Sequence, residues 1–205
     1  MLALNSGKLI CTMTDTLYGL MCNPFDAEAV ANLYKLKGRK PDKPLPLLAS
    51  SFSQLTSYVR YNIYELWLAQ KFWPGALTMI MELRNGVHNK NWEKIGIQNN
   101  EAAFRVPASP EIINLIEEYC GLLVGTSANI SDQANIKHFG ELQLELNEHN
   151  RPIPLTYYYT KTKPSFEQST IIKVGSNGEI KMIREGMISY STLVNYIELK
   201  KNGDI

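Results

Sequence analysis

Cysteine, histidine and tryptophan are scarce in this 205-residue chain, with three of each. Cys11, Cys22 and Cys120 are scattered and form no C-x-x-C pair, which excludes a disulfide framework and a zinc ribbon and suits a reducing compartment. His88, His138 and His149 lie far apart without metal-ligand spacing. No apolar run approaches the roughly 18 residues of a membrane span, and the first residues lack a basic segment followed by a long apolar one. A soluble, cytoplasmic protein is therefore expected. The net charge of +1 excludes a globally basic nucleic-acid binder, so any polyanion site must come from a local concentration of Lys and Arg. Also missing are G-x-x-x-x-G-K-[ST], G-x-G-x-x-G after a strand, G-x-S-x-G and H-E-x-x-H, which removes the main support for P-loop, Rossmann, serine-hydrolase and zincin chemistry. No internal repeat, low-complexity tract or linker stands out.

What is present is a chain long enough for one well-buried core, with 44% hydrophobic residues. Strand-length apolar runs alternate with helical patterns, which predicts an α/β fold. Strands are expected at 8–13, 45–49, 77–83, 102–106, 122–125 and near 153–159. Asp26 is placed to cap a helix that Gly38 stops, Asn62 and Glu65 form a capping box, Ser51 and Gln54 form another, and Ser109-Pro110 opens a helix ended by Gly121. A helix is expected near 139–146 and a loop through 161–167. The segments 170–174 and 179–184, joined by Gly-Ser-Asn-Gly, read as a hairpin before a closing helix that carries Leu193, Val194, Tyr196 and Ile197. The hairpin requires antiparallel pairing. The expected architecture is a single-domain (1–205), open, twisted, mixed β-sheet with flanking helices.

The chemistry must come from a dispersed set of strand ends and loops. Residues 35 to 43 hold Lys35, Lys37, Arg39, Lys40 and Lys43 against one acid, Asp42. Lys37 and Arg39 flank a glycine in what reads as an exposed loop, where two cations can converge on a polyanion or can simply complement the helix dipole. Ser127 and Asn129 follow an apolar strand and offer neutral groups that orient phosphate oxygens. Thr14-Asp15-Thr16 follows the first strand and fits either a small polar ligand or a capped turn with Tyr18 and Leu20 as core. Arg105 lies inside an apolar run, where an unpaired cation is costly, and needs an internal carboxylate or the carboxylate of a ligand. Ser169 and Arg184 are polar positions at strand ends, open to either role.

Taken in order, Thr14-Asp15-Thr16-Leu17-Tyr18-Gly19-Leu20, Lys37-Gly38-Arg39, Trp73-Pro74-Gly75-Ala76-Leu77-Thr78, Arg105-Val106-Pro107 and Ser127-Ala128-Asn129 resemble the YrdC family of threonylcarbamoyl-AMP synthases, in its short form. The resemblance implies a YrdC-like fold and a nucleotidyltransferase that joins ATP, L-threonine and bicarbonate into threonylcarbamoyl-adenylate, with release of pyrophosphate. It further implies Mg²⁺ with the ATP, a separate threonylcarbamoyl transferase complex as downstream partner, and a product destined for an adenosine of tRNA, which tRNA contact with this chain would serve. Lys37, Arg39, Ser127 and Asn129 match the family's nucleotide-binding tetrad, and Arg184 another nucleotide contact. Thr16, Arg105 and Ser169 match its threonine-holding positions. Met13, Ser109 and Asp132 stand where the family more often has proline, histidine and glycine, and residues 163–168 lack its usual glycines. Two other functions remain for the same residues: a non-catalytic RNA-binding module with a cationic concavity, or a carbamoyl-adenylate-handling domain.

Overall fold

The computed structural model describes residues 7–40, 42–87, 90–97, 99–119, 121–130, 134–136, 138–148 and 155–205. His88, Cys120, Asp132, His149 and the start of the strand expected near 153 lie outside them. In chain order the elements are β1 Leu9–Met13, β2 Tyr18–Cys22, α1 Ala27–Lys37, β3 Leu47–Leu48, α2 Phe52–Leu55, α3 Ile63–Phe72, β4 Leu77–Glu82, α4 Lys90–Lys94, β5 Glu101–Arg105, α5 Pro110–Tyr119, β6 Leu123–Ser127, α6 Phe139–Glu148, β7 Leu155–Tyr158, β8 Thr170–Val174, β9 Ile180–Arg184 and α7 Tyr190–Asn202. The strands form one mixed sheet in the order β7-β1-β2-β6-β3-β5-β4-β8-β9. The β8–β9 hairpin pairs antiparallel as expected, and β8 runs parallel to β4.

Local chemistry sets the helix ends. The Asp26 carboxylate accepts from the N–H groups of Glu28 and Ala29, and Gly38 ends α1 in the left-handed conformation at φ 60°. Asn62 and Glu65 form the reciprocal capping box at the start of α3. Burial pushes the Glu65 carboxyl up to about 7, against the opposing hydrogen bond from the Asn62 N–H. The box expected at Ser51 is incomplete. The Ser51 hydroxyl does accept from the Gln54 N–H, but the Gln54 side chain accepts from Ser50 N–H and donates to the Gly121 carbonyl.

Period two along each strand divides the sheet into two faces. Leu9, Leu20, Val124, Leu47, Phe104, Met79, Ile172 and Ile180 point to one face, where they share a core with Val30 and Leu33 of α1, Leu68 of α3, Trp92 of α4 and Leu193 and Ile197 of α7. Their neighbours Ile10, Met21, Leu48 and Leu123 point to the other face, where α5 covers them with Ile112, Leu115 and Ile116. Each such burial contributes roughly 1.5–3 kcal/mol before entropy is counted. α5 covers only that part of the second face. Over β5, β4, β8 and β9 the same face carries Ala103, Arg105, Thr78, Ile80, Ile171 and Ile183, and these line a cavity.

Candidate active site

The cavity has a volume of about 410 Å³. Its wall includes Thr16, Lys37, Arg39, Arg105, Ser127, Asn129, Ser169 and Arg184, so the positions singled out in the sequence meet around one space although they come from five strands or strand ends and one helix end. That volume falls within the usual size range of small-molecule sites.

At one end, the tail of α1 meets the end of β6. Lys37 is the last residue of α1 and only 2% exposed, so the exposed loop expected for it is corrected. Leu36 and Lys37 are drawn inward by the helix face, and the ammonium reaches the opposite strand end. Lys37 Nζ donates to the carbonyls of Ser127 (2.6 Å) and Asn129 (2.9 Å) and to Asn129 Oδ1 (3.0 Å). Ser127 Oγ donates to the same Asn129 Oδ1 at 2.7 Å. Three of the four tetrad candidates thus form one hydrogen-bonded unit. Ser127 closes β6 rather than following it. Arg39 stands apart, half-buried, its guanidinium donating to the carbonyls of Lys43 and Pro44.

At the other end, Arg105 closes β5 with a side chain only 9% exposed. Nε donates to Gly75 O (2.8 Å), Nη1 to Thr16 Oγ1 (2.8 Å) and Nη2 to Asp15 Oδ1 (2.6 Å). The internal carboxylate that the sequence left open is therefore present and is Asp15. Burial lowers the Arg105 pKa and Asp15 opposes that shift. Gly75 presents its carbonyl from the turn after the cis Trp73–Pro74 peptide, and its N–H donates to Val106 O at 2.8 Å. A side chain at Gly75 would meet Phe72 O at 2.6 Å. Thr14 fixes the preceding turn, donating to Leu17 O and accepting from the N–H groups of Thr16 and Leu17.

Ser169 precedes β8 and is 8% exposed; its Oγ lies 2.9 Å from Thr78 Oγ1. Arg184, at the end of β9, donates to Ser169 O through Nε (3.2 Å) and Nη2 (2.9 Å), and Nη2 also reaches Ser169 Oγ at 3.2 Å. Burial lowers the Arg184 pKa, and the positive charge of Arg105 lowers it further. Two guanidiniums close enough to repel through a desolvated space form a ready site for an anion.

A strap, residues 160–168, crosses this end. Thr160 Oγ1 donates to Met13 O, and the N–H groups of Ser165 and Phe166 donate to the carbonyls of Asp15 and Thr16. Phe166 takes a positive φ of 61°, the left-handed turn that glycine-poor sequence at 163–168 would not suggest. The strap's start is held by Glu111, which accepts from Lys161 N–H and Thr162 Oγ1, while Ser109 Oγ accepts from Thr162 as well. The Lys161 N–H keeps the Glu111 carboxyl below its usual range. Gly186 holds the strap's far end closely; a side chain there would collide with the Gln168 carbonyl.

Sequence reasoning gave no role to Asp15, Thr78 or Gln168, although the last two line the cavity. Asp15 and Thr78 lie inside the motifs, and for Thr78 the two-residue offset from Ile80 within β4 is the signal that places it on the cavity face.

Among the described residues, no group of three or more His, Cys, Asp or Glu could hold a metal ion. No helix among them is long and apolar enough to cross a membrane.

The profile of the Sua5/YciO/YrdC family, which carries the description Telomere recombination, matches residues 2–186. A threonylcarbamoyl-AMP synthase of Pseudoalteromonas translucida is 29% identical over 186 residues, 86% of this chain and 91% of that protein. One of Buchnera aphidicola is 36% identical over 132 residues, 63% of this chain and 73% of that protein. The crystal structure of P. abyssi Sua5 complexed with L-threonine aligns with a TM-score of 0.77 at 28% identity, covering 93% of this chain and 54% of that one. This chain therefore spans about half the length of that P. abyssi protein. With a profile match over nearly its whole length and a cavity to which each of the five motifs contributes a residue, the chain belongs to the Sua5/YciO/YrdC family.

Proposed function

We propose that this chain is an L-threonylcarbamoyladenylate synthase, a nucleotidyltransferase that uses ATP, L-threonine and bicarbonate and releases pyrophosphate, with its product serving threonylcarbamoyladenosine modification of tRNA. The carrying observation is the convergence on one cavity of a Lys37–Ser127–Asn129 unit, Arg39, and a second cationic end at Arg105 and Arg184. Curated relatives carry this activity in their names, and a solved relative is described as a complex with L-threonine.

In this reading the threonine carboxylate meets Arg105, which keeps one N–H on each terminal nitrogen after its three internal bonds, with Thr16 and Ser169 beside it. The neutral amine of threonine forms a bond to the bicarbonate carbon as that carbon's bond to its hydroxyl oxygen breaks; the amine proton leaves with the hydroxyl as water, and a carbamate anion remains. The cationic surroundings favour the neutral amine over its ammonium form. A carbamate oxygen then attacks the α-phosphorus of ATP while the bond to the β-phosphate oxygen breaks, and pyrophosphate leaves. The chain's share of the work is positioning and charge. Lys37, Arg39, Ser127, Asn129 and Arg184 hold the nucleotide. Lys37 already donates to three oxygens, so a phosphate oxygen competes with the Ser127 and Asn129 carbonyls for it.

Mg²⁺ is part of the reading as a companion of ATP. It prefers phosphate oxygens and water to an all-protein cage, which suits a cavity whose polar lining is cations, hydroxyls and amides with the single carboxylate of Glu101, and when bound it offsets charge on the departing pyrophosphate. A separate transferase complex takes the activated group to tRNA, and the setting is cytoplasmic.

Pyrophosphate release from ATP should require threonine, bicarbonate and Mg²⁺ together. Equal release without threonine would indicate a nucleotidase, and ATP binding without any release would favour an RNA-binding module.

A further inference from the structure

A polar row crosses the open half of the sheet. The antiparallel register pairs Met79 with Phe104, so one step further places Thr78 opposite Arg105, and the parallel register pairs Thr78 with Ile171. Ser169 and Arg184 continue the row. Asp15 sits behind Arg105 and does not line the cavity.

The Thr78–Ser169 hydrogen bond is one of two that hold the Ser169 hydroxyl. A serine hydroxyl has one proton and two lone pairs. Arg184 Nη2 donates to Ser169 Oγ over 3.2 Å, and Thr78 Oγ1 lies 2.9 Å from the same atom. Thr78 is 2% exposed, and among the described residues its hydroxyl has no other hydrogen-bond partner. Ser169 Oγ is thus held from two sides, by Arg184 and by Thr78, and where Thr78 donates, the Ser169 proton is left for the cavity.

We infer that Thr78 is a positioning residue that holds the Ser169 hydroxyl in place to donate to the substrate carboxylate, which spans Arg105 and Ser169. The inference rests on the threonine reading above.

The test is calorimetric titration of L-threonine, and separately of ATP, into wild type, Thr78→Val, Thr78→Ser, Ser169→Ala and the Thr78→Val/Ser169→Ala double variant. Thr78→Val is expected to weaken threonine about tenfold and ATP less than about twofold. Thr78→Ser, which keeps the hydroxyl, should stay within about threefold of wild type, and the double variant should bind threonine no more weakly than Ser169→Ala alone. Unchanged threonine binding in Thr78→Val, a parallel loss for ATP, additive losses in the double variant or failure of Thr78→Ser to restore binding would each overturn the assignment. If wild type itself binds no threonine, the functional reading falls and this inference with it; normal wild-type binding with an indifferent Thr78→Val overturns the inference alone.

Discussion

The two ends of the cavity hold their cations by different means. Lys37 is buried against carbonyl and amide oxygens, neutral groups that a phosphate can displace without leaving a buried charge behind. Arg105 is buried against the Asp15 carboxylate, with Thr16 and Gly75 completing its shell. The first arrangement leaves most of the positive charge available to a polyanion. The second cancels much of it and keeps the geometry, leaving two N–H groups aimed by a fixed frame. A highly charged triphosphate needs the former, and a single carboxylate that must be told from other anions is better served by the latter.

The largest expected effect comes from breaking the second arrangement. Arg105→Ala leaves Asp15 buried without its cation and should lower unfolding stability by about 3 kcal/mol, read from urea midpoints, while abolishing the threonine response. A loss below about 1 kcal/mol would show that Asp15 is solvated and the contrast between the ends is overdrawn. Arg105→Lys should keep part of the ion pair but lose the fork, raising the threonine KM more than tenfold with the ATP KM little changed.

Lys37→Met should act on both stability and ATP, since it strips the buried acceptors at Ser127 and Asn129 of their donor. About 1–3 kcal/mol of stability and most ATP affinity should go, with threonine binding retained. Retained stability would return Lys37 to the solvated position that its sequence suggests.

Arg39→Ala sharpens the comparison from the other side. Its contacts are to the carbonyls of Lys43 and Pro44 at a half-buried position, so stability should move by less than about 0.5 kcal/mol while ATP binding falls about tenfold.

The smallest effect lies outside both ends and serves as a control. Glu65, with its carboxyl pushed up to about 7, binds its proton more tightly in the folded than in the unfolded chain. Stability should therefore fall as pH rises from about 4.5 to about 7. Glu65→Gln should flatten that part of the curve in thermal melts, leaving the threonine and ATP KM values alone.

Much of this contrast was hidden in the sequence, for one physical reason: the partners are distant. Lys37 beside Gly38 reads as a solvated helix end because its acceptors lie about ninety residues away, and Asp15 reads as a turn residue because Arg105 lies equally far. Motif positions were legible because they cluster at strand ends, and the caps at Asp26 and Asn62 because their bonds are local. β2 escaped notice for a different reason. All five of its residues are buried, so Tyr18–Cys22 shows no alternation of apolar and polar character, and its polar prelude Thr14-Asp15-Thr16 draws attention to the turn. β3 was expected over five residues and has two: Leu45 N–H turns to Ile95 O, off the sheet, and Ala49 N–H meets Arg105 O, where β5 itself ends.

The division of the sheet into a covered face and a partly open one has a further consequence, for how the strands find each other. Sliding β4 or β5 by a single residue would turn Thr78 and Arg105 into the packed core and bring Met79 and Phe104 out into water. Arg105 would then be parted from Asp15 and enclosed among Leu47, Met79 and Trp92. A strand made of apolar residues alone could tolerate such a slip; this one cannot. The residues that await the ligand therefore act before any ligand arrives, as markers that allow the central strands only one alignment.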